Sequence, residues 1–242
     1  MIKKKFTYLF VAIMVFSFAN AQNTNNLLNN AANALGGNNR GNNLSNQQIV
    51  NGLKEALTIG SNNAAASASR TDGFFKNDLI RIPFPPEARE VQSRAIQLGM
   101  QQQVNDFIRS LNRAAEEASK EAAPIFANAI TSMTVNDGLA ILRGNDDAAT
   151  RFLQNRTTPE LQNRFRPIIK RAINKAQVAR QWNPIITRYN RLPMVRQMNP
   201  NLEDYVLDRT LIGLFSLIAS EEGKIRRDPA ARVTDLLRSV FG

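Results

Sequence analysis

The sequence NLEDYVLDRTLIGLFSLIASEEGK, residues 201–224, decides the fold of this chain. Its apolar side chains recur every three to four positions, which is the spacing of one face of an α-helix. Asn201 precedes them at a position that favours a helix N-cap. The continuous apolar run from Leu211 to Ala219 covers only nine residues, whereas a transmembrane helix needs about 20. We therefore predict that this segment is the central buried helix of a globular domain.

Helical spacing continues through the preceding sequence as far back as Ser45. Ser45 and Gln48 are placed to form a capping box at the start of the first helix, and Thr134 and Asp137 are placed to form another. The strand-like alternation at residues 80–82 covers only three positions, which is too short to indicate a strand. The pattern predicts an all-α fold, in which a single-domain array of about nine helices packs around one core.

Proline residues mark the predicted connections and helix starts. Pro83, Pro85 and Pro86 exclude a helix between them, because the residue before each proline is driven to extended geometry. This segment is therefore a Pro-rich connection. Pro159 follows Thr158 and is predicted to begin a separate helix, since proline is favoured at the first helical position.

The first 44 residues have the composition of targeting and tether segments. Residues 1–21 combine Lys3, Lys4 and Lys5 with a short apolar stretch and small residues at positions 19 and 21, which is typical of a signal peptide. An N-terminal membrane anchor is the alternative. Residues 22–44 are rich in asparagine, which predicts a disordered linker. We predict an exported protein, periplasmic or secreted, with a helical domain at residues 45–242 and no transmembrane segment in the mature chain.

The 242 residues include no cysteine and no histidine. This composition excludes zinc sites with thiolate or imidazole ligands, cysteine nucleophiles, Ser-His relays and haem ligation by histidine. Asp146 and Asp147 are followed at once by two alanines, which favours helix capping over a calcium loop. We therefore predict no cofactor, no metal and no catalytic residue.

A carboxylate-based hydrolase is the alternative function, because carboxylates remain available for acid–base chemistry. Glu116, Glu117 and Glu121 lie near one another on a predicted helix. Glycoside hydrolysis needs a second carboxylate across the substrate from the first, and the sequence brings none to these three. A structural or assembly protein of the cell envelope is the third possibility.

Positive charge is concentrated between Arg151 and Arg196. This segment contains eleven Lys or Arg residues and one acid, Glu160, and the whole chain carries a net charge of +11, which falls to +8 without the three lysines of the predicted signal peptide. On a helical wheel of about 100° per residue, the apolar residues after Thr158 fill an arc of about 140° that contains no basic residue. A solvated helix face and a basic amphipathic helix both have this arrangement.

The scarcity of acids favours an anion-binding surface, because a solvated face usually mixes both signs of charge. Arginine outnumbers lysine there, and its planar fork suits phosphate and carboxylate. Arg164, Arg171 and Lys175 share one flank of the predicted helix, and Arg166 and Lys170 share the other. We predict a non-enzymatic binding module for an anionic envelope partner, which is a lipid headgroup, an acidic glycan or a protein; nucleic acid is less favoured. The candidate anion-binding residues are Arg164, Arg166, Lys170, Arg171, Lys175, Arg180 and Arg188.

Five short motifs occur in a fixed order along the folded part. They are DGFF at Asp72, IRIPFPPE at Ile80, NRAAEEA at Asn112, GNDDAAT at Gly144 and DPAARVTDLLRSVFG at Asp228. In this order the sequence resembles the bacterial domain of unknown function 4197 family, which occurs in exported proteins. The resemblance covers the chain from about Leu44 to the C-terminus. It implies an exported helical domain and transfers no activity, cofactor or site residue.

Overall fold

The structure is a computed structural model that describes residues 45–175, 182, 187, 191 and 201–228. Within these residues it contains seven α-helices and no β-strand, so the all-α prediction is confirmed and the predicted number of about nine helices is corrected to seven. The signal peptide and linker predicted in residues 1–44 lie outside the described residues. The helices are α1 Asn46–Ser69, α2 Arg89–Gln97, α3 Gln101–Ser119, α4 Ala122–Thr131, α5 Val135–Arg143, α6 Ala148–Lys175 and α7 Leu202–Arg227, with a 3₁₀ turn at Pro86–Ala88 before α2.

Both predicted capping boxes are present. The Ser45 hydroxyl accepts the backbone N–H of Gln48 at 3.2 Å, and Gln48 Oε1 accepts the backbone N–H of Ser45 at 2.9 Å. Thr134 and Asp137 make the same reciprocal pair at 3.1 and 2.9 Å. These bonds lower the pKa of the Asp137 carboxyl, because the backbone N–H and then the hydroxyl of Thr134 stabilise its charged form. The starts of α1 and α5 are therefore fixed by local sequence.

Pro159 does not begin a helix, which corrects the break predicted there. α6 runs continuously through Pro159 and Pro167. Proline removes one backbone donor and crowds the carbonyl four residues earlier, and the hydroxyl of Thr157 donates to the carbonyl of Leu153 at 2.7 Å, a contact that bends helices without ending them. The helix persists because buried side chains on both sides of Pro159 pack into the core, and tertiary packing supplies most helix stability in proteins.

α6 buries a side chain at every fourth position along its whole length. It packs against α3, α4, α5 and α7, most extensively against α7 and α3. Buried side chains therefore extend from the first turn of α6 to its last, and most of the residues between them are exposed or half-buried. The residues in the repeat are Ala149, Leu153, Thr157, Leu161, Phe165, Ile169 and Ile173.

α7 supplies the other main part of the core. Asn201 caps it as predicted, since Asn201 Oδ1 accepts the backbone N–H groups of Glu203 and Asp204. Half of its residues are buried, and it packs against α1, α3 and α6. Gly213 permits this packing, because a ring atom of Phe74 lies 2.8 Å from the position that a β-carbon would take. No single described helix, α7 included, is long and apolar enough to cross a membrane. α4 and α5 reach the required length and composition only as a pair, and the chain bends by 104° between them.

Two buried polar residues of α3 hold the connection between α1 and α2. Asn112 Oδ1 accepts the backbone N–H of Ile82, and Asn112 Nδ2 donates to the carbonyl of Ile82, both at 2.8 Å. Glu116 Oε1 accepts the backbone N–H groups of Phe74 and Phe75 at 3.1 and 3.2 Å. An irregular segment next to the core thus has its polar backbone groups satisfied by side chains of α3.

A series of contacts links the C-terminal half of α6 to α3 through the start of α7. Arg166 in α6 pairs with Asp204 at the start of α7. The adjacent Tyr205 donates a hydrogen bond to the carbonyl of Pro83 at 3.1 Å. The ring of Phe84 packs against the ring of Phe107 in α3, with 4.8 Å between their centroids. These contacts connect α6, the start of α7 and the segment after Pro83 with α3.

Candidate anion-binding groove

Five of the seven predicted anion-binding residues lie on α6, and their side chains are all exposed. The repeat of buried side chains keeps these cations out of the core, as the helical wheel predicts. Arg180 and Arg188 lie outside the described residues. The five exposed cations are Arg164, Arg166, Lys170, Arg171 and Lys175.

The two flanks of α6 that the wheel separates have different surroundings. On one flank, Arg166 pairs with Asp204 of α7, and this hydrogen bond raises the pKa of Arg166. Arg166 therefore already has an anion from its own chain. On the other flank, Arg171 and Lys175 have no carboxylate within ion-pair distance among the residues that the structure describes.

Arg171 and Lys175 line an open groove between α3 and the C-terminal half of α6. The groove has a volume of about 930 Å³, and Ile168 and Ala172 add apolar surface to its lining. Charged residues make up most of the rest of the described lining. The cations are Arg109, Arg113, Lys120, Arg171 and Lys175, and the carboxylates are Asp106, Glu117 and Glu121.

Two of the α3 cations pair with carboxylates of the groove itself. Arg109 lies 3.3 Å from Asp106, and Lys120 lies 2.6 Å from Glu117. About half of each side chain is exposed, and an exposed ion pair contributes at most about 1 kcal/mol. An incoming anion therefore competes with weak pairs at these two positions, and with no described carboxylate at Arg171 and Lys175.

Arg113 differs from Arg109 and Lys120, because one of its ion pairs joins α3 to the connection between α1 and α2. Its guanidinium lies 2.5 Å from a carboxylate oxygen of Glu116 and 2.5 Å from one of Asp72. The hydrogen bond to Glu116 raises the pKa of Arg113. Lys76 and then Arg113 lower the pKa of the Asp72 carboxyl by hydrogen bonding to its charged form. Arg113 and Asp72 are therefore charged at neutral pH, and their ion pair lies at the wall of the groove.

Sequence reasoning did not include the α3 side of the groove. Arg109, Arg113 and Lys120 lie in a segment where acids are as frequent as bases, so a count of charges gives no signal there. Their spacing of four and then seven residues was the available signal, because it places all three on one face of a helix.

The carboxylates considered for hydrolysis do not face one another in the described structure. Glu116 is buried and directed at the backbone of residues 74–75. Glu117 in α3 and Glu121 in the turn after it line the groove, and the α6 residues described in the lining are basic or apolar. The geometry of paired carboxylates that glycosidase chemistry uses is therefore not formed by these three residues.

A second buried carboxylate, that of Glu222 in α7, accepts hydrogen bonds from the start of α6. Its oxygens accept the backbone N–H groups of Ala149 and Thr150 at 3.1 and 2.9 Å, and Arg226 pairs with it at 2.9 Å. It borders a cavity of about 20 Å³, which has room for one water molecule. Glu222 is thus a helix cap contributed by α7. Within the described residues, no cluster of three or more side chains is arranged to hold a metal ion.

Comparison with known proteins identifies a family. The profile of a family described as "Protein of unknown function (DUF4197)" matches residues 43–242. The chain therefore belongs to this family, which is the one that its motifs resemble. No curated protein and no solved structure matches the chain.

Proposed function

We propose that this member of the DUF4197 family is an exported binding protein that holds an anionic ligand in the groove between α3 and α6. The observation that supports this most directly is that Arg171 and Lys175 line the groove with no carboxylate partner among the described residues. The five cations of the groove outnumber its three carboxylates, and a net positive surface raises the local concentration of anionic ligands. The signal-peptide composition of residues 1–21 supports export to the periplasm or beyond it.

The side chains of the groove suit a ligand with more than one anionic oxygen. Arg171 offers a planar fork of donors, and Lys175, four residues later on the same helix face, offers a compact point charge. Arg109 faces the same groove from α3. A lipid headgroup phosphate, an acidic glycan and an acidic protein segment all present such oxygens.

Replacing Arg171 and Lys175 with glutamine tests this proposal. Retention of the protein is measured on vesicles that contain phosphatidylglycerol, on polygalacturonate and on duplex DNA, each at low and at physiological salt. Loss of two cations near an anionic surface is expected to weaken retention on the preferred ligand at least about tenfold. Retention of the unmodified protein is expected to fall as salt rises, because salt screens exposed charges.

A matched control removes the same charge from α6 outside the groove. Arg151→Gln combined with Arg156→Gln is expected to change retention less than about twofold. Equal losses in the two double variants would mean that net charge, and not the groove, causes binding. Unchanged retention of Arg171→Gln with Lys175→Gln would equally contradict the proposal. Thermal unfolding of both variants checks the fold, which is expected to be unchanged because all four side chains are exposed.

A further inference from the structure

The turn between α2 and α3 exposes three large apolar side chains. Ile96, Leu98 and Met100 are 38%, 79% and 42% exposed. Gly99, between the last two, has a φ of 79°, and no atom lies within 4 Å of the position of a β-carbon there. The turn is therefore convex and open to solvent. We call residues 96–100 the apolar tip.

The apolar tip lies in a stretch without charge. No Asp, Glu, Lys or Arg occurs from Ala95 to Asn105, and α2, which leads into the tip, buries none of its residues. Leu79 and Ile212 are also exposed apolar residues, but each stands alone with charged residues within three positions. Among the described groups of exposed apolar side chains, the apolar tip can therefore leave water without the cost of desolvating a neighbouring charged group.

The apolar tip directly precedes the helix that forms one side of the groove. α3 begins at the tip and lines the groove from Asp106 onward, and Arg171 and Lys175 line the same groove from α6. Arg109 follows Met100 by nine positions, which is about 14 Å along the helix axis. Apolar and cationic groups are therefore placed one after the other along a single direction.

We propose that the apolar tip inserts into the surface of a lipid bilayer whose anionic headgroups occupy the groove. Interfacial segments bury their apolar side about 5–10 Å into the boundary between headgroups and acyl chains. With α3 near the bilayer normal, Arg109 then lies at the level of the headgroup phosphates. The headgroup contact rests on the proposed function, whereas insertion of the tip is a separate claim.

A bilayer suits the apolar tip better than a second protein surface does. Stable protein interfaces bury about 800 Å² on each partner, and three partly exposed side chains on a convex turn supply much less than that. Membrane binding needs only a small apolar insertion, to which each nearby cation adds attraction for anionic lipid. Both contributions are present, one in the apolar tip and the other in the groove that α3 lines.

A single fluorescent label tests insertion directly. Because the chain contains no cysteine, Leu98→Cys provides one labelling site for an environment-sensitive fluorophore. Vesicles of phosphatidylcholine with phosphatidylglycerol are then added to the labelled protein. The emission is expected to move to shorter wavelength, because the label leaves water. Leu79→Cys is the matched control, since Leu79 is 64% exposed outside the tip, and its label is expected to show no shift.

A pair of polar substitutions separates the tip from the groove. Leu98→Ser combined with Met100→Ser is expected to weaken vesicle binding at least about tenfold and to leave binding of soluble inorganic tripolyphosphate unchanged. Arg171→Gln combined with Lys175→Gln is expected to weaken both. Leu79→Ser combined with Ile212→Ser removes the same apolar character elsewhere and is expected to change neither.

The outcomes distinguish failure of the two claims. A label at position 98 that does not shift, in a protein that still binds tripolyphosphate through Arg171 and Lys175, overturns insertion and leaves the groove proposal standing. A shift at position 98 with vesicle binding that is indifferent to Arg171→Gln and Lys175→Gln supports insertion and overturns the headgroup contact. In a further measurement, unlabelled protein is added to the labelled protein without vesicles. A shift of the emission in this case means that the apolar tip contacts a second copy of the chain, which overturns the inference.

Discussion

The inner side of α3 and the last turns of α6 both carry charged side chains, and the two regions treat them differently. On α3, Glu116 is 4% exposed, and both its oxygens are occupied by backbone N–H groups and by Arg113. On α6, Arg171 and Lys175 are exposed and have no ion pair with a described residue. A buried charge is tolerated only when it is paired and hydrogen-bonded, whereas water solvates an exposed one. Burial therefore separates charges that hold the fold from charges that are available to a ligand.

Glu116→Ala is expected to produce the largest effect and is the strongest test of this difference. It leaves two buried backbone N–H groups without their acceptor and removes one of the two ion pairs of Arg113, so the free energy of unfolding is expected to fall by about 3–5 kcal/mol. Denaturant unfolding measures this. The neighbouring Glu117→Ala is the matched control, because Glu117 is 55% exposed and its one ion pair with a described residue is with Lys120, and it is expected to cost less than about 1 kcal/mol. Similar losses in the two variants would remove the distinction.

Asn112→Ala extends the test to a neutral buried group. It leaves the N–H and carbonyl of Ile82 unsatisfied beside the core, so we expect a loss of about 2–3 kcal/mol in the free energy of unfolding. Asn105→Ala, on the exposed side of the same helix, removes only a side-chain hydrogen bond to Gln101 and is expected to be nearly neutral. Hydrogen exchange at Ile82 gives a local readout, and unchanged protection there would contradict the assigned role of Asn112.

Tyr205 is an intermediate case, since it is half-buried at the edge of the core. Burial raises the pKa of Tyr205 from 10.0 to about 12. The folded state therefore holds this proton more tightly than the unfolded state does. The resulting stability is complete below about pH 10 and is lost as the pH rises through about 12.

Tyr205→Phe is therefore expected to weaken the dependence of stability on pH between about 10 and 12 and to remove the highest step from the ultraviolet titration of the tyrosines. Denaturant unfolding at both ends of this pH range measures the first effect. A variant with the alkaline stability profile of the original protein would show that Tyr205 titrates as an exposed tyrosine.

Arg166→Gln is expected to have the smallest effect, although its ion pair joins α6 to α7. Arg166 is 48% exposed and Asp204 is 36% exposed, so the loss is expected to stay below about 1 kcal/mol and to shrink in high salt. A double-mutant cycle with Asp204→Asn isolates the pair from the other contacts of Asp204. A coupling as large as the loss from Glu116→Ala would show that exposure does not decide the role of a charge here.

The parts of this fold that sequence predicts are those that depend on neighbours in the chain. Ser45 with Gln48, Thr134 with Asp137, and Asn201 all act within three or four residues, and all are present. The predicted break at Pro159 is wrong, because packing along the whole of α6 outweighs a local rule about proline.

Contacts between distant residues explain what sequence reasoning missed. Glu222 accepts hydrogen bonds from residues more than 70 positions earlier in the chain, and no local pattern indicates that pairing. The basic side of the groove follows from the periodicity of α6, whereas its α3 side depends on how the two helices pack. The pairing of Arg166 with Asp204 is likewise a tertiary contact.

The motifs that carry the family resemblance contact one another in the structure. The NRAAEEA motif supplies Asn112 and Glu116, which bind the backbone of IRIPFPPE and DGFF respectively. The GNDDAAT motif supplies the backbone N–H groups that Glu222 accepts. These motifs therefore supply tertiary hydrogen bonds that stabilise the fold. They include neither Arg171 nor Lys175.

The spacing of buried side chains on α6 determines how its charge is distributed in space. Four residues advance an ideal α-helix by about 40° more than a full turn, so six such steps from Ala149 to Ile173 turn the inward direction by about 240°. The outward direction turns with it, and Arg151 and Lys175 consequently face different sides of the domain. Cations that look like one cluster along the sequence are dispersed around the helix, and only its final turns direct them towards α3.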